Sequence, residues 1–100
     1  MAKNFDERCW ELLKRVPKGK VTTYKEIARA LRSKAYRAVG GAMNRNPDAP
    51  RVPCHRVVNA NGKLGGYALG LSKKISLLKK EGITITDGKV QNLAAVMHKF

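Results

Sequence analysis

Apolar residues recur at helical spacing in four stretches of the chain, and this pattern predicts four helices. The first helix is expected to begin after Asn4, a residue type suited to capping, and to end at Pro17. The second follows a short β-branched piece and has Thr23 as its N-cap, and the last runs from Ser72 to Glu81. The pattern therefore favours a mainly helical domain.

The second and third helical patterns are separated by a short connection, as in a helix-turn-helix. Ser33 is placed to cap the third helix, which is expected to run to about Asn44. Its predicted buried side consists of Ala35, Ala38, Val39 and Ala42. Gly40 and Gly41 in its middle each cost about 1 kcal/mol relative to alanine. We therefore expect another surface to approach the backbone closely at this point.

The remaining segments indicate a small β-hairpin and a short closing helix. Asn61-Gly62 is a strong hairpin signal and is predicted to join a strand at Val57–Asn59 to one at Lys63–Gly65. The chain from Ile83 onward is weakly patterned, although Leu93, Val96 and Met97 can form a short helix. The predicted fold is mainly α, a winged helix-turn-helix-like domain with a small β-hairpin, and residues 1–100 form a single domain.

The net charge of the chain is the strongest indication of what it binds. Lys and Arg total 21 against 7 Asp and Glu, which gives a formal net charge of +14. Nucleic acid is the favoured partner, because neutralising phosphates releases counterions; an anionic membrane surface, or a solvated basic face with no polyanion, are the alternatives. The second and third helices and their flanks carry Arg29, Arg32, Lys34, Arg37 and Arg45, with no acid between Ala28 and Pro47. This favours a helix that enters a DNA groove.

The sequence disfavours several classes of protein. No apolar run approaches the roughly 20 residues that a membrane span needs, so we expect no membrane association through a span. Two cysteines, Cys9 and Cys54, are too few for a disulfide framework or a zinc site, and we expect neither metal nor cofactor. A reducing, cytoplasmic location is therefore predicted.

Cys54 and His55 form the candidate for chemistry. An imidazole can take the proton of a thiol, and a carboxylate can orient that imidazole. Adjacent side chains on an extended strand point in opposite directions, so the pair needs a turn or a bridging water. Glu81 is a reasonable third member, but the spacing alone favours a buried structural cysteine beside a chance histidine. Tyr24 could meet a phosphate or be a half-buried aromatic, and Cys9 lies on an apolar stripe suited to core packing.

The segment Pro53-Cys54-His55-Arg56-Val57-Val58 resembles the active-site motif of the O6-alkylguanine-DNA alkyltransferases. Other matching segments are Val21–Tyr24, Arg37–Met43, Asn46-Pro47, Gly65-Gly66-Tyr67 and Leu77 through Glu81. The resemblance covers roughly Phe5 to Ile83.

The resemblance implies a role for each matching residue. Cys54 would be the alkyl acceptor, with His55 as its base through a water and Glu81 orienting His55. Tyr24 would contact the DNA backbone and protonate the departing guanine, and Asn46 would brace the active-site turn. The DNA-binding set would be Tyr24, Arg37 as the finger that enters the base stack, Gly40, Lys34 and Arg45. The substrate pocket would be formed by Met43, Val57, Tyr67, Ala68 and Leu69.

The resemblance also implies a function, which is irreversible single-turnover transfer of an alkyl group, mainly methyl, from O6-alkylguanine in double-stranded DNA to Cys54 after base flipping. The protein is expected to act as a monomer, without the domain that usually precedes this one in relatives. Leu69 stands where some relatives have glycine and is expected to disfavour large alkyl groups. Two alternatives are a non-catalytic alkyltransferase-like lesion sensor that recruits excision repair, and a basic helix-turn-helix transcription regulator.

Overall fold

A computed structural model describes residues 4–100, and residues 1–3 of the expected domain lie outside the described residues. The helices are α1 (Phe5–Leu13), α2 (Tyr24–Ala30), α3 (Tyr36–Asn44), α4 (Leu71–Lys80) and α5 (Leu93–Val96). The strands are β1 (Thr22–Thr23), β2 (Val57–Val58), β3 (Ile85–Thr86) and β4 (Lys89–Val90), and a 3-10 turn spans Cys54–Arg56. The fold is thus mostly helical with a small amount of sheet, as predicted. None of the helices within residues 4–100 is both long and apolar enough to cross a membrane.

Two of the three predicted helix caps are confirmed. The Asn4 side chain accepts a hydrogen bond from the Glu7 amide at 2.8 Å, and the Thr23 hydroxyl accepts one from the Glu26 amide at 3.0 Å. The prediction for Ser33 is wrong, because its hydroxyl accepts from the Ala35 amide at 3.0 Å and so stabilises a turn before the helix. α3 therefore begins at Tyr36, two residues later than predicted, and Ala35, predicted to be buried, is exposed.

The predicted hairpin is also placed wrongly. Asn61-Gly62 does form a turn, closed by the Gly62 amide on the Asn59 carbonyl at 2.9 Å. Its flanks share one hydrogen bond, from the Asn59 amide to the Lys63 carbonyl at 2.9 Å, but they do not extend into a strand pair, and Val57–Val58 pairs in parallel with Thr22–Thr23. The antiparallel pair is β3–β4, and it turns at Asp87 and Gly88, which both have positive φ. Asp-Gly suits such a turn as well as Asn-Gly does, so the signal was present in the weakly patterned tail.

The β1–β2 pairing positions the candidate site. Thr22 pairs with Val57 and Thr23 with Val58 in parallel, so the Cys54 turn enters the ladder at one end and α2 leaves it at the other. Val57 packs in a cluster with α1 and α3, whereas Val58 packs in a second cluster with α4 and the C-terminal segment. The ladder therefore joins the two parts of the core directly behind Cys54.

Candidate active site

Cys54 begins a short 3-10 turn. Pro53, whose φ is fixed by its ring, precedes it, and the Arg56 amide donates to the Pro53 carbonyl at 2.9 Å. The turn replaces the extended geometry that would point Cys54 and His55 in opposite directions. Both side chains are buried, at 3% and 2% exposure.

Asn46 braces this turn, as predicted from the resemblance. Its side-chain amide donates to the Val52 carbonyl at 2.8 Å, and the Cys54 amide donates to the same carbonyl at 2.8 Å. The Asn46 side-chain oxygen accepts from the Asp48 amide at 3.0 Å. One side chain thus connects the end of α3 to the residue two positions before the thiol.

His55 and Glu81 meet across 26 residues of sequence, as predicted. His55 Nε2 lies 3.1 Å from Glu81 Oε2. Arg56 binds the same carboxylate through two hydrogen bonds, of 2.9 and 2.6 Å, and donates to the Val16 carbonyl at 2.7 Å. His55 Nδ1, on the other side of the ring, is buried and has no hydrogen-bond partner. An imidazole that donates from Nε2 leaves its basic lone pair on Nδ1.

The electrostatics favour a neutral thiol beside a neutral imidazole. Burial raises the pKa of Cys54, although the Asn46 side chain and the charge of Lys74 oppose that shift. Burial lowers the pKa of His55, opposed by Glu81. Burial also raises the pKa of Glu81, but its hydrogen bonds from Arg56 and His55 more than offset this and keep the pKa below its ordinary value. The Glu81 carboxylate thus contacts a neutral imidazole, and that imidazole belongs to the residue next to the buried Cys54 thiol.

A cavity of about 130 Å³ opens onto the thiol. It is lined by Tyr24, Gly40, Met43, Asn44, Cys54, Gly66, Tyr67 and Ala68. Burial raises the pKa of Tyr67 to about 12 and also raises that of Tyr24, so both hydroxyls stay protonated at neutral pH. The cavity thus combines one nucleophile with two phenol donors.

Two predicted pocket residues are not brought to this cavity. Val57 is fully buried in the core, and Leu69 is 53% exposed outside the lining. The Val57 carbonyl accepts a hydrogen bond from Lys74 Nζ at 2.7 Å. The sequence could not show this, because the β-ladder and the fold of the 66–70 loop decide it.

The predicted DNA-binding residues lie on the α2–α3 side of the molecule. Arg37 and Lys34 are exposed, and a side chain added at Gly40 would meet no atom within 4 Å, so protein packing alone does not require glycine there. Arg45 is committed elsewhere, because it binds Asp6 through two hydrogen bonds of 2.6 and 2.9 Å. Any contact between Arg45 and a phosphate has to compete with that ion pair.

Comparison with known proteins identifies the family. Residues 4–83 match the model of the 6-O-methylguanine DNA methyltransferase, DNA binding domain. The chain belongs to this family. Among curated members, the methylated-DNA–protein-cysteine methyltransferase of Methanosarcina acetivorans is 57% identical over 79 residues, which are 78% of this chain and 51% of that protein. The chain thus spans about half the length of the curated relatives it matches.

Solved structures of the family agree. A crystal structure of Mycobacterium tuberculosis OGT in complex with DNA has a TM-score of 0.76 at 44% identity, covering 81% of this chain and 51% of that one. S. pombe Atl1 in complex with damaged DNA containing O6-carboxymethylguanine has a TM-score of 0.84 at 31% identity, and the two chains cover each other completely.

The sequence reasoning missed two residues of this family member's site. Arg56, which lies in the matching motif, fixes Glu81 through two hydrogen bonds. Lys74 is fully buried, and its ammonium donates to the carbonyls of Val57, Leu64 and Gly66, of which Gly66 lines the cavity. A signal for Lys74 was available, because it precedes the buried Leu78 by four residues on one helix face. Within residues 4–100, no group of three or more His, Cys, Asp or Glu could hold a metal ion.

Proposed function

We propose that this chain repairs DNA by transferring the alkyl group, mainly methyl, of O6-alkylguanine irreversibly to Cys54. The observation that carries the proposal is the position of the thiol. Cys54 lines a cavity with Tyr24, and beside it is a neutral His55 whose free Nδ1 is buried and whose Nε2 meets Glu81. A merely structural cysteine needs neither the cavity nor a neighbouring histidine held by a carboxylate.

The proposed chemistry balances with these groups alone. The thiol proton passes through a water to Nδ1 of His55, and Glu81 stabilises the imidazolium. The thiolate attacks the alkyl carbon, so the S–C bond forms as the C–O6 bond breaks and its electron pair stays with guanine. The Tyr24 hydroxyl supplies a proton to the departing base and regains one from the imidazolium. Because a thioether does not hydrolyse readily, each chain acts once.

Access to the lesion requires base flipping. The Cys54 thiol lies in a cavity of about 130 Å³ and cannot contact an alkyl group that is stacked inside a duplex. The nucleotide therefore has to rotate out of the duplex, at a cost of a few kcal/mol. Exposed Arg37 on α3 is suited to fill the gap, and α2 and α3 serve as a helix-turn-helix that lies on double-stranded DNA. The charge of +14 supports the polyanion partner.

A lesion sensor is the second candidate. The observation that favours it is the TM-score of 0.84 with Atl1, whose structure holds damaged DNA containing O6-carboxymethylguanine. A sensor of this kind binds the flipped base and leaves the alkyl group on the DNA.

One measurement separates these two functions. The wild-type protein is mixed with duplex DNA carrying O6-methylguanine, and the intact protein mass and the peptide map are recorded. We expect stoichiometric gain of one methyl group, located on Cys54, and no second turnover. Tight lesion binding without any mass gain would support the sensor, whereas sequence-specific binding that ignores the lesion would support a transcription regulator.

Arg37→Ala is expected to slow transfer from duplex DNA by roughly tenfold or more, because the unpaired gap then loses its filler and the base returns faster. The rate with free O6-methylguanine base should be unchanged, since no duplex has to open. Rapid-quench assays on both substrates measure the two rates. Arg15→Ala removes the same charge from an exposed site after α1 and is the matched control. Equal slowing on both substrates would remove the finger assignment.

A further inference from the structure

Tyr36 is an aromatic side chain that the proposed chemistry does not use. It is the first residue of α3, directly before Arg37, and it is 49% exposed. Within residues 4–100 it belongs to neither hydrophobic cluster of the core. A half-exposed ring beside the proposed finger is therefore available to a ligand.

The surface around Tyr36 continues the Cys54 cavity outward. A groove of about 250 Å³ is lined by Tyr24, Tyr36, Arg37, Gly40 and Asn59, and it shares Tyr24 and Gly40 with the cavity. A second groove of about 380 Å³ continues past the same ring and is lined by Tyr24, Lys25, Tyr36, Asn59 and Ala60. A strand that delivers one nucleotide to the cavity thus has a path that passes the Tyr36 ring.

The charge around the ring selects a polyanion. On the far side of Tyr36 lies a depression of about 300 Å³ lined by Lys25, Arg29, Arg32, Ser33, Lys34 and Tyr36. Among the described residues, none that line these three surfaces is Asp or Glu. The nearby Glu26 is bound by Arg29 at 2.5 Å. An aromatic face between cations is the combination that binds unstacked nucleotides, through stacking on the ring and contacts to the phosphates.

We infer that Tyr36 is a stacking platform for the nucleobase next to the flipped nucleotide on the lesion strand, with Lys25 on the adjoining phosphate. The inference rests on the proposed function, because base flipping is what exposes a face of that neighbouring base. The same strand is assigned because the grooves are continuous with the cavity through Tyr24 and Gly40. Arg37 then fills the gap in the duplex, while the Tyr36 ring stacks on the base that borders this gap.

The test uses 2-aminopurine, a base whose fluorescence rises when it loses a stacking neighbour. It is placed in turn on each side of O6-methylguanine in the lesion strand, and Cys54→Ala protein is bound so that the lesion persists. We expect emission at one of the two positions to stay as low as in the free duplex. Adding Tyr36→Leu should raise that emission and weaken binding by roughly tenfold, whereas Tyr36→Phe, which keeps the ring, should change neither.

Leu71→Ala is the control, because Leu71 is also half exposed, at 50%, and lines none of these grooves. If Tyr36→Leu and Tyr36→Phe give the same emission and affinity while the wild-type protein still takes up methyl, the stacking inference is overturned and the proposed function stands. If the wild-type protein neither binds the lesion duplex nor gains mass, the proposed function fails and the inference fails with it.

Discussion

Cys54→Ala protein is expected to lose methyl transfer completely while still binding O6-methylguanine duplex DNA. Among the described residues that line the cavity, Cys54 alone can form a thiolate, and thiolates are far stronger nucleophiles than the Tyr24 and Tyr67 phenols, whose pKa values are raised. DNA affinity depends instead on the exposed cations of α2 and α3. It should fall steeply with salt in wild type and variant alike.

The chain offers a matched control in its second cysteine. Cys9 is fully buried in the same core cluster as Cys54, but burial raises its pKa to about 11, and it does not line the cavity. Cys9→Ala should therefore retain stoichiometric transfer, measured by intact mass. Methyl gain in the Cys54→Ala protein, or its loss in a folded Cys9→Ala protein, would contradict the assignment.

Lys74→Met is expected to destabilise the protein by about 3 kcal/mol and to slow transfer. Methionine matches the length of the lysine stem but donates no hydrogen bond. The buried carbonyls of Val57 and Leu64 then lose their shared donor, and the 64–66 segment at the cavity loses its tie to α4. The free energy of unfolding in urea and the transfer rate measure the two effects.

Lys73→Met is the control, because it removes the same charge from the adjacent, exposed position and should change stability by less than about 0.5 kcal/mol.

The pH dependence of the free energy of unfolding distinguishes the buried Lys74 from an exposed lysine. Burial lowers the pKa of Lys74 to about 8 from 10.5, so between those values the unfolded chain holds a proton that the folded chain has released. Stability of the wild type therefore rises with pH there, and the Lys74→Met deficit should grow by roughly 1 kcal/mol from about pH 7 to about pH 9. A deficit equal to that of Lys73→Met at both pH values would show that Lys74 has no such role.

Local signals predicted the helices well and the strands poorly. Asn4 and Thr23 cap their helices because a side-chain oxygen and an amide three residues apart can meet without help from the rest of the fold. Val57–Val58 pairs with a strand more than 30 residues earlier, and no local pattern around Asn61-Gly62 contains that information. The hairpin was predicted at Asn61-Gly62, but the antiparallel strand pair forms around Asp87-Gly88. Turn residues alone do not determine which flanking segments pair as strands.

The candidate site was predictable where a motif named the residues, and less so where packing decides. The resemblance supplied Cys54, His55 and Glu81, and the structure brings His55 and Glu81 into contact. α4 contains several lysines, and Lys74 is the buried one because it lies on the helix face that packs against the core. The commitment of Arg45 to Asp6 likewise depends on α1 packing against α3, which the spacing of charges in the sequence does not reveal.

The two-residue ladder of β1 and β2 sets a spacing on which the candidate site depends. It fixes how far Tyr24, the next residue after β1, stands from the turn that ends at β2. An insertion at the exposed Asp87-Gly88 turn, which does not line the cavity, leaves that spacing unchanged, whereas one residue added between Thr23 and Tyr24 rotates the phenol by about 100° around its helix. Length variation should therefore be tolerated at the β3–β4 turn and forbidden at the junction of β1 with α2.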